Sequence, residues 1–69
     1  MAILHKFKHP KKKADVIFEE DLEMDEDGWF ISIKYVQKNG SLKREHCIIR
    51  KDVEQFVSML IRDGYEEDK

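Results

Sequence analysis

The dipeptide Asn39-Gly40 lies between two eight-residue runs of β-formers, Phe30 to Gln37 and Leu42 to Ile49. Asn-Gly is the preferred centre of a type I′ turn, because both central positions take positive φ. A two-residue loop sets the register of the whole hairpin. It places Lys38 opposite Ser41, Val36 opposite Lys43 and Lys34 opposite Glu45. One face then carries Trp29, Ile31, Ile33, Tyr35, Leu42, Arg44, His46 and Ile48. The other carries Phe30, Ser32, Lys34, Val36, Lys43, Glu45, Cys47 and Ile49.

The second strong pattern follows at once. Val53, Phe56, Val57, Leu60 and Ile61 recur at helical spacing and share one face. Asp52 is placed as an N-cap, with Gln55 three residues on as in a capping box. Gly64 is placed as the C-cap. These signals predict a helix over 52–63, followed by a frayed acidic tail over 64–69. The helix is expected on the face of Ile31 and Ile33. That leaves Phe30, Val36, Cys47 and Ile49 on a face too apolar to be simply solvated, so a partner chain, a ligand or the N-terminal segments should cover it.

Upstream, Val16, Phe18, Leu22 and Met24 alternate with acids and read as a strand over 15–24. Asp25 to Gly28 forms the turn into the hairpin. Ile3, His5 and Phe7 alternate over 2–8 as a short first strand. Pro10 and the lysines after it form a connecting loop. The fold class is therefore α+β: an antiparallel three- to four-stranded sheet over 15–50, preceded by a basic segment over 1–14, then one C-terminal amphipathic helix. With 69 residues the chain is one domain over 1–69. Its 41% hydrophobic content is enough for a small core but leaves little to build a deep substrate cleft.

The net charge of −2 conceals four blocks. Residues 1–14 hold five lysines and no acid; 15–28 hold eight acids and no base. Residues 29–51 hold six bases against Glu45 alone, and 52–69 hold six acids against two bases. Local potential of this kind steers partners more than the total does. Cys47 is the single cysteine, so no internal disulfide forms, and a reducing intracellular setting is expected, cytoplasmic or with the nucleoid or nucleus. Neither a signal peptide nor the roughly 18 apolar residues of a membrane helix is visible.

The chemistry-bearing residues do not form a catalytic or metal pattern. Glu23 to Gly28 mimics the start of an EF-hand loop, but Lys34 stands where the bidentate glutamate belongs. His5, His9, His46 and Cys47 match no zinc spacing, and His46 and Cys47 fall on opposite sheet faces. We expect no enzyme activity, no cofactor and no metal. Two basic segments remain. Lys11, Lys12 and Lys13 end the first, after Lys6 and Lys8. Lys34, Lys38, Lys43 and Arg44 run along the hairpin, interleaved with Trp29, Phe30 and Tyr35. Aromatics beside cations on a sheet suit single-stranded nucleic acid, where bases stack and cations track phosphates.

The run Phe30 to Arg44, then Ile48-Ile49, Asp52 and the helix through Leu60, resembles the C-terminal domain of the PC4-type transcriptional coactivators. The resemblance spans residues 29–61. The Pur-type repeat is similar in its order of elements and its ligands. The resemblance implies a β-β-β-β-α domain that dimerises and binds single-stranded DNA. It implies Lys34, Lys38, Lys43 and Arg44 at phosphate-facing positions and Trp29 or Phe30 at the stacking position. The expected function is a small homodimeric binder of single-stranded nucleic acid, a transcription or replication accessory factor. The alternative is an acidic phage-type adaptor or inhibitor that offers residues 19–27 to a basic site on a larger protein.

Overall fold

The computed structural model describes residues 2–20 and 29–68. Strands β1 (Ala2–Lys8), β2 (Ala14–Glu20), β3 (Phe30–Gln37) and β4 (Leu42–Ile49) form an antiparallel meander. A 3₁₀ turn (Arg50–Asp52) leads into α1 (Val53–Arg62), and a two-residue β5 (Glu66–Glu67) closes the chain. The sheet order is β4-β3-β2-β1-β5. The expected α+β fold is present, with one strand more than the sequence showed. The end of the strand expected over 15–24, the turn at 25–28 and the EF-hand-like segment fall largely outside the described residues.

Alternation decides which face is buried. Phe7 pairs with Val16, Val16 with Tyr35, Phe18 with Ile33 and Ile31 with Ile48. Phe7, Val16, Phe18, Ile31 and Ile33 are completely buried, and α1 seals them with Val53 and Leu60. The Phe18 ring meets Phe7 at 5.8 Å and Phe56 of α1 at 5.7 Å, both at angles that suit the ring quadrupoles. Each such side chain contributes roughly 1.5–3 kcal/mol through burial. The helical stripe is narrower than expected: Phe56 and Val57 are half-buried, and Ile61 is 57% exposed. Ten residues span only about 15 Å, so the helix offers the sheet a short contact.

The turn differs from the expected type I′. Gly40 N–H donates to Gln37 C=O at 2.8 Å and Gln37 N–H to Ser41 C=O at 2.9 Å. Only Gly40 takes positive φ here, at +91°. The loop is therefore the three residues Lys38, Asn39 and Gly40, a type I turn with glycine in the left-handed position. The Asn39 side chain supports it by accepting from Ser41 N–H and Oγ at 2.9 and 2.6 Å. This puts Val36 opposite Leu42, so Leu42 joins the face of Val36. A register shift beyond Val36, with Lys43 as the extra residue, restores the pairs of Lys34 with Glu45 and Ile31 with Ile48. A second shift between Ile3 and His5 turns Ile3 away from the core, where it is 62% exposed.

Both helix ends also depart from expectation. Asp52 has helical φ and ψ of −91° and −3° and makes no side-chain cap, because the 3₁₀ turn has already begun the winding. The C-terminal end is a Schellman closure. Gly64, at φ +99°, donates to Ile61 C=O, and Tyr65 N–H donates to Leu60 C=O at 3.0 Å. The segment expected to fray is instead anchored. Tyr65 is buried, β5 pairs with β1, and Asp68 N–H reaches Lys6 C=O at 2.7 Å. His5 Nδ1 lies 2.7 Å from Glu67 Oε2 across this edge.

The two glycines separate backbone strain from crowding. Nothing lies within 4 Å of a Cβ built on Gly40, so Gly40→Ala should cost only the left-handed backbone, about 1–2 kcal/mol. A Cβ on Gly64 would sit 2.9 Å from His9 Nε2. Gly64→Ala should therefore be the more destabilising of the two in urea unfolding, and equal losses would contradict this packing.

Candidate nucleic-acid interface

The connecting loop of residues 9–13 and the start of β4 are far apart in sequence, yet both arrive where β3 ends. There Lys12 and Lys13 face Lys43 and Arg44 across an open cleft of about 570 Å³. Ala14, Tyr35, Gln37 and Tyr65 complete the lining. None of the eight lining residues is acidic, in a chain whose net charge is −2. The cleft lies on the helix side of the sheet, just past the C-terminal end of α1.

The two tyrosines of the lining each carry one of its four cations. Lys12 Nζ lies 5.1 Å from the Tyr65 ring centre, and the Arg44 guanidinium 4.9 Å from that of Tyr35. Each contact contributes about 0.5–1 kcal/mol and restrains a long side chain that would otherwise sample many rotamers. Burial pushes the Tyr35 hydroxyl above the usual tyrosine range, against the opposing pull of Arg44 and with a small addition from Tyr65. Tyr35 thus stays neutral beside the cations across the physiological range.

The remaining predicted residues go elsewhere. Lys34 is on the opposite face, where its Nζ lies 3.2 Å from Glu19 and 3.7 Å from Glu45. Its pKa is raised, chiefly by the hydrogen bond to Glu19. Lys38 lines a smaller hollow with Lys8, His9, Pro10, Asp15 and Glu66. Lys11 is exposed beside the cleft without lining it. Trp29 and Phe30 are 60% and 54% exposed at the start of β3. They are five or six residues, about 17–20 Å, from Tyr35. The exposed aromatics and the cations of the cleft are therefore separated, not interleaved. Sequence reading missed Tyr65 because it follows a helix-ending glycine and resembles a loose end. It named Tyr35 among the hairpin aromatics but gave the stacking position to Trp29 or Phe30.

Two of the three acids of β2, Glu19 and Glu20, are engaged internally. Besides Glu19 with Lys34, Glu20 Oε2 accepts from Arg50 at 2.6 Å. Among the described residues there is no group of three or more His, Cys, Asp or Glu side chains able to hold a metal ion. None of the described helices is long and apolar enough to cross a membrane.

The raised values of Lys34 and Tyr35 imply a specific alkaline response. Both groups bind their proton more tightly folded than unfolded, so their contribution is complete below about pH 10 and lost as pH rises through the folded values. Unfolding free energy measured by urea titration should fall above that point. The decline should be shallower in the double variant Lys34→Met with Tyr35→Phe. Parallel profiles would contradict the assignment. No family model, curated protein or solved structure matches the chain.

Proposed function

We propose that this protein is a non-enzymatic nucleic-acid-binding protein that holds phosphates in the cleft between the loop of residues 9–13 and the β3–β4 hairpin. The observation that carries the reading is the convergence of Lys12, Lys13, Lys43 and Arg44 on one acid-free concavity. A run of phosphates is the common polyanion whose spacing demands several cations side by side, and counterion release supplies the affinity. The tyrosines already carry cations on their faces, so they serve as supports. Base stacking falls to the exposed Trp29, since Phe30 lies on the face away from α1. A role in transcription or replication follows from the PC4-type resemblance alone.

The adaptor reading, through acids 19–27, is weakened at its start. Glu19 and Glu20 are committed to Lys34 and Arg50. Release of those pairs would be a cost of any such contact.

Titration of a labelled single-stranded oligonucleotide at several salt concentrations tests the proposal. Four phosphate contacts predict a log–log salt slope near about −3 for single strands. Lys43→Glu combined with Arg44→Glu should abolish measurable binding, whereas Lys38→Gln should leave it intact. Absence of binding at low salt, or indifference to the double reversal, would reject the proposal.

The face away from α1 motivates the second part, a homodimer. Ile3, Phe30, Leu42 and Ile49 lie on it and are 62%, 54%, 55% and 38% exposed. Sedimentation should report a dimer, and Phe30→Ser with Ile49→Ser should shift it to monomer. A monomer at all concentrations would remove this part without touching the cleft.

A further inference from the structure

The loop that carries Lys12 and Lys13 has no regular structure of its own, so something must hold it against the end of the helix. His9 does so through three hydrogen bonds. The backbone N–H groups of Lys11 and Lys12 donate to its Nδ1 at 3.0 and 3.1 Å. Its Nε2 faces the carbonyl oxygen of Asp63, at the C-terminal cap of α1, at 3.1 Å. The ring also stands edge-on to Tyr65, with centroids 4.9 Å apart.

These partners permit only one form of the ring. Backbone N–H groups only donate, so Nδ1 must be an unprotonated acceptor. The Asp63 carbonyl only accepts, so Nε2 must carry the hydrogen. From this we infer that His9, as the neutral Nε2–H tautomer, is the positioning residue of the cleft. It fastens the loop so that Lys12 rests on Tyr65 opposite Lys43 and Arg44. The inference deepens the nucleic-acid reading and rests on it for its ligand.

Protonation of Nδ1 would set a third N–H against those of Lys11 and Lys12 and release the loop. The ionisable groups around His9 come from every neighbouring segment. Lys8 and Glu66 lie on the adjoining strands, Asp15 on β2 and Lys38 on the hairpin. Lys11 and Lys12 lie on its own loop, and Asp63 and Tyr65 flank the helix end. None of these carboxylates is hydrogen-bonded to the ring, whose Nδ1 contacts among the described residues are the Lys11 and Lys12 amides. The direction of the effect is diagnostic. A site held by charge alone binds a polyanion more tightly in acid, because each histidine adds a positive charge. A site held by His9 binds it more weakly.

Oligonucleotide affinity at fixed salt, followed from about pH 8 to about pH 5, tests the inference. The wild-type protein should weaken about fivefold on acidification, the equivalent of about one lost hydrogen bond. His9→Asn should remove the weakening, because its side-chain oxygen still accepts from N–H groups two and three residues on and does not titrate. Unchanged or tighter wild-type binding in acid, or the same weakening in His9→Asn, would overturn the inference.

Nitrogen-15 spectra of the full chain without ligand provide an independent reading. The His9 ring should be the Nε2–H tautomer at neutral pH. As it protonates, the Lys11 and Lys12 amides should shift with it, and proximity of Lys12 to the Tyr65 ring should be lost. An Nδ1–H tautomer, or amides that do not follow His9, would overturn the inference whatever binds. If the protein binds no oligonucleotide even at the alkaline end, the function fails by itself and these spectra decide the role of His9.

Discussion

The helix stops at Asp63 because Gly64 takes φ +99°, and the two hydrogen bonds of that closure turn the chain back on itself. Most of what is distinctive in the molecule depends on this reversal. It drives Tyr65 into the core beside Leu60. It delivers Glu66 and Glu67 to the free edge of β1. It also leaves the Asp63 carbonyl pointing out, where His9 captures it. A side chain larger than hydrogen at position 64 would obstruct both the backbone turn and the approach of His9.

A short domain gains from such economy. One ten-residue helix covers one face of the sheet, and its C-terminal end does further duty as the anchor of two chain segments. The β1 edge, otherwise a row of open hydrogen-bonding groups, is occupied over Phe7 and Lys8 by β5. The opposite edge, β4, pairs with no further strand among the described residues and carries Lys43, Arg44 and Glu45. Charges on an edge discourage pairing with other sheets. Here two of them also serve the cleft.

Charge is sorted by face. On the open side, Glu19, Lys34 and Glu45 neutralise one another across three neighbouring strands, and Arg50 holds Glu20 at one end. On the helix side, Lys12, Lys13, Lys43 and Arg44 meet no carboxylate in the cleft they line. The blocks of like charge along the chain are thus partly cancelled and partly concentrated by folding. Exposed ion pairs of this sort contribute little to stability, about 0–1 kcal/mol each. Their effect is to decide which cations remain available to a ligand.

The elements that depend on local periodicity were legible in the chain. Period-two alternation around Ile31 and Ile33 and period-3.6 repetition from Val53 to Leu60 place the sheet, the helix and the core, because burial of apolar area follows those spacings wherever the chain goes. Gly64 as a helix stop was equally legible. Tertiary structure alone decided the rest. The turn at Asn39-Gly40 took the type I form, since a type I turn with Gly40 in the left-handed position and a register shift at Lys43 reaches the same strand pairing. Residues 64–68 became structured only because Tyr65 found a pocket and β1 offered an edge. The candidate site was half visible: the lysines and Arg44 were apparent, but which of them would converge was not. Lys34 and Lys43 are both hairpin cations in the chain; the hairpin sets Glu45 beside Lys34, and only pairing with β2 adds Glu19. Convergence is a property of non-local contacts, and linear spacing carries no record of which distant segment will lie opposite.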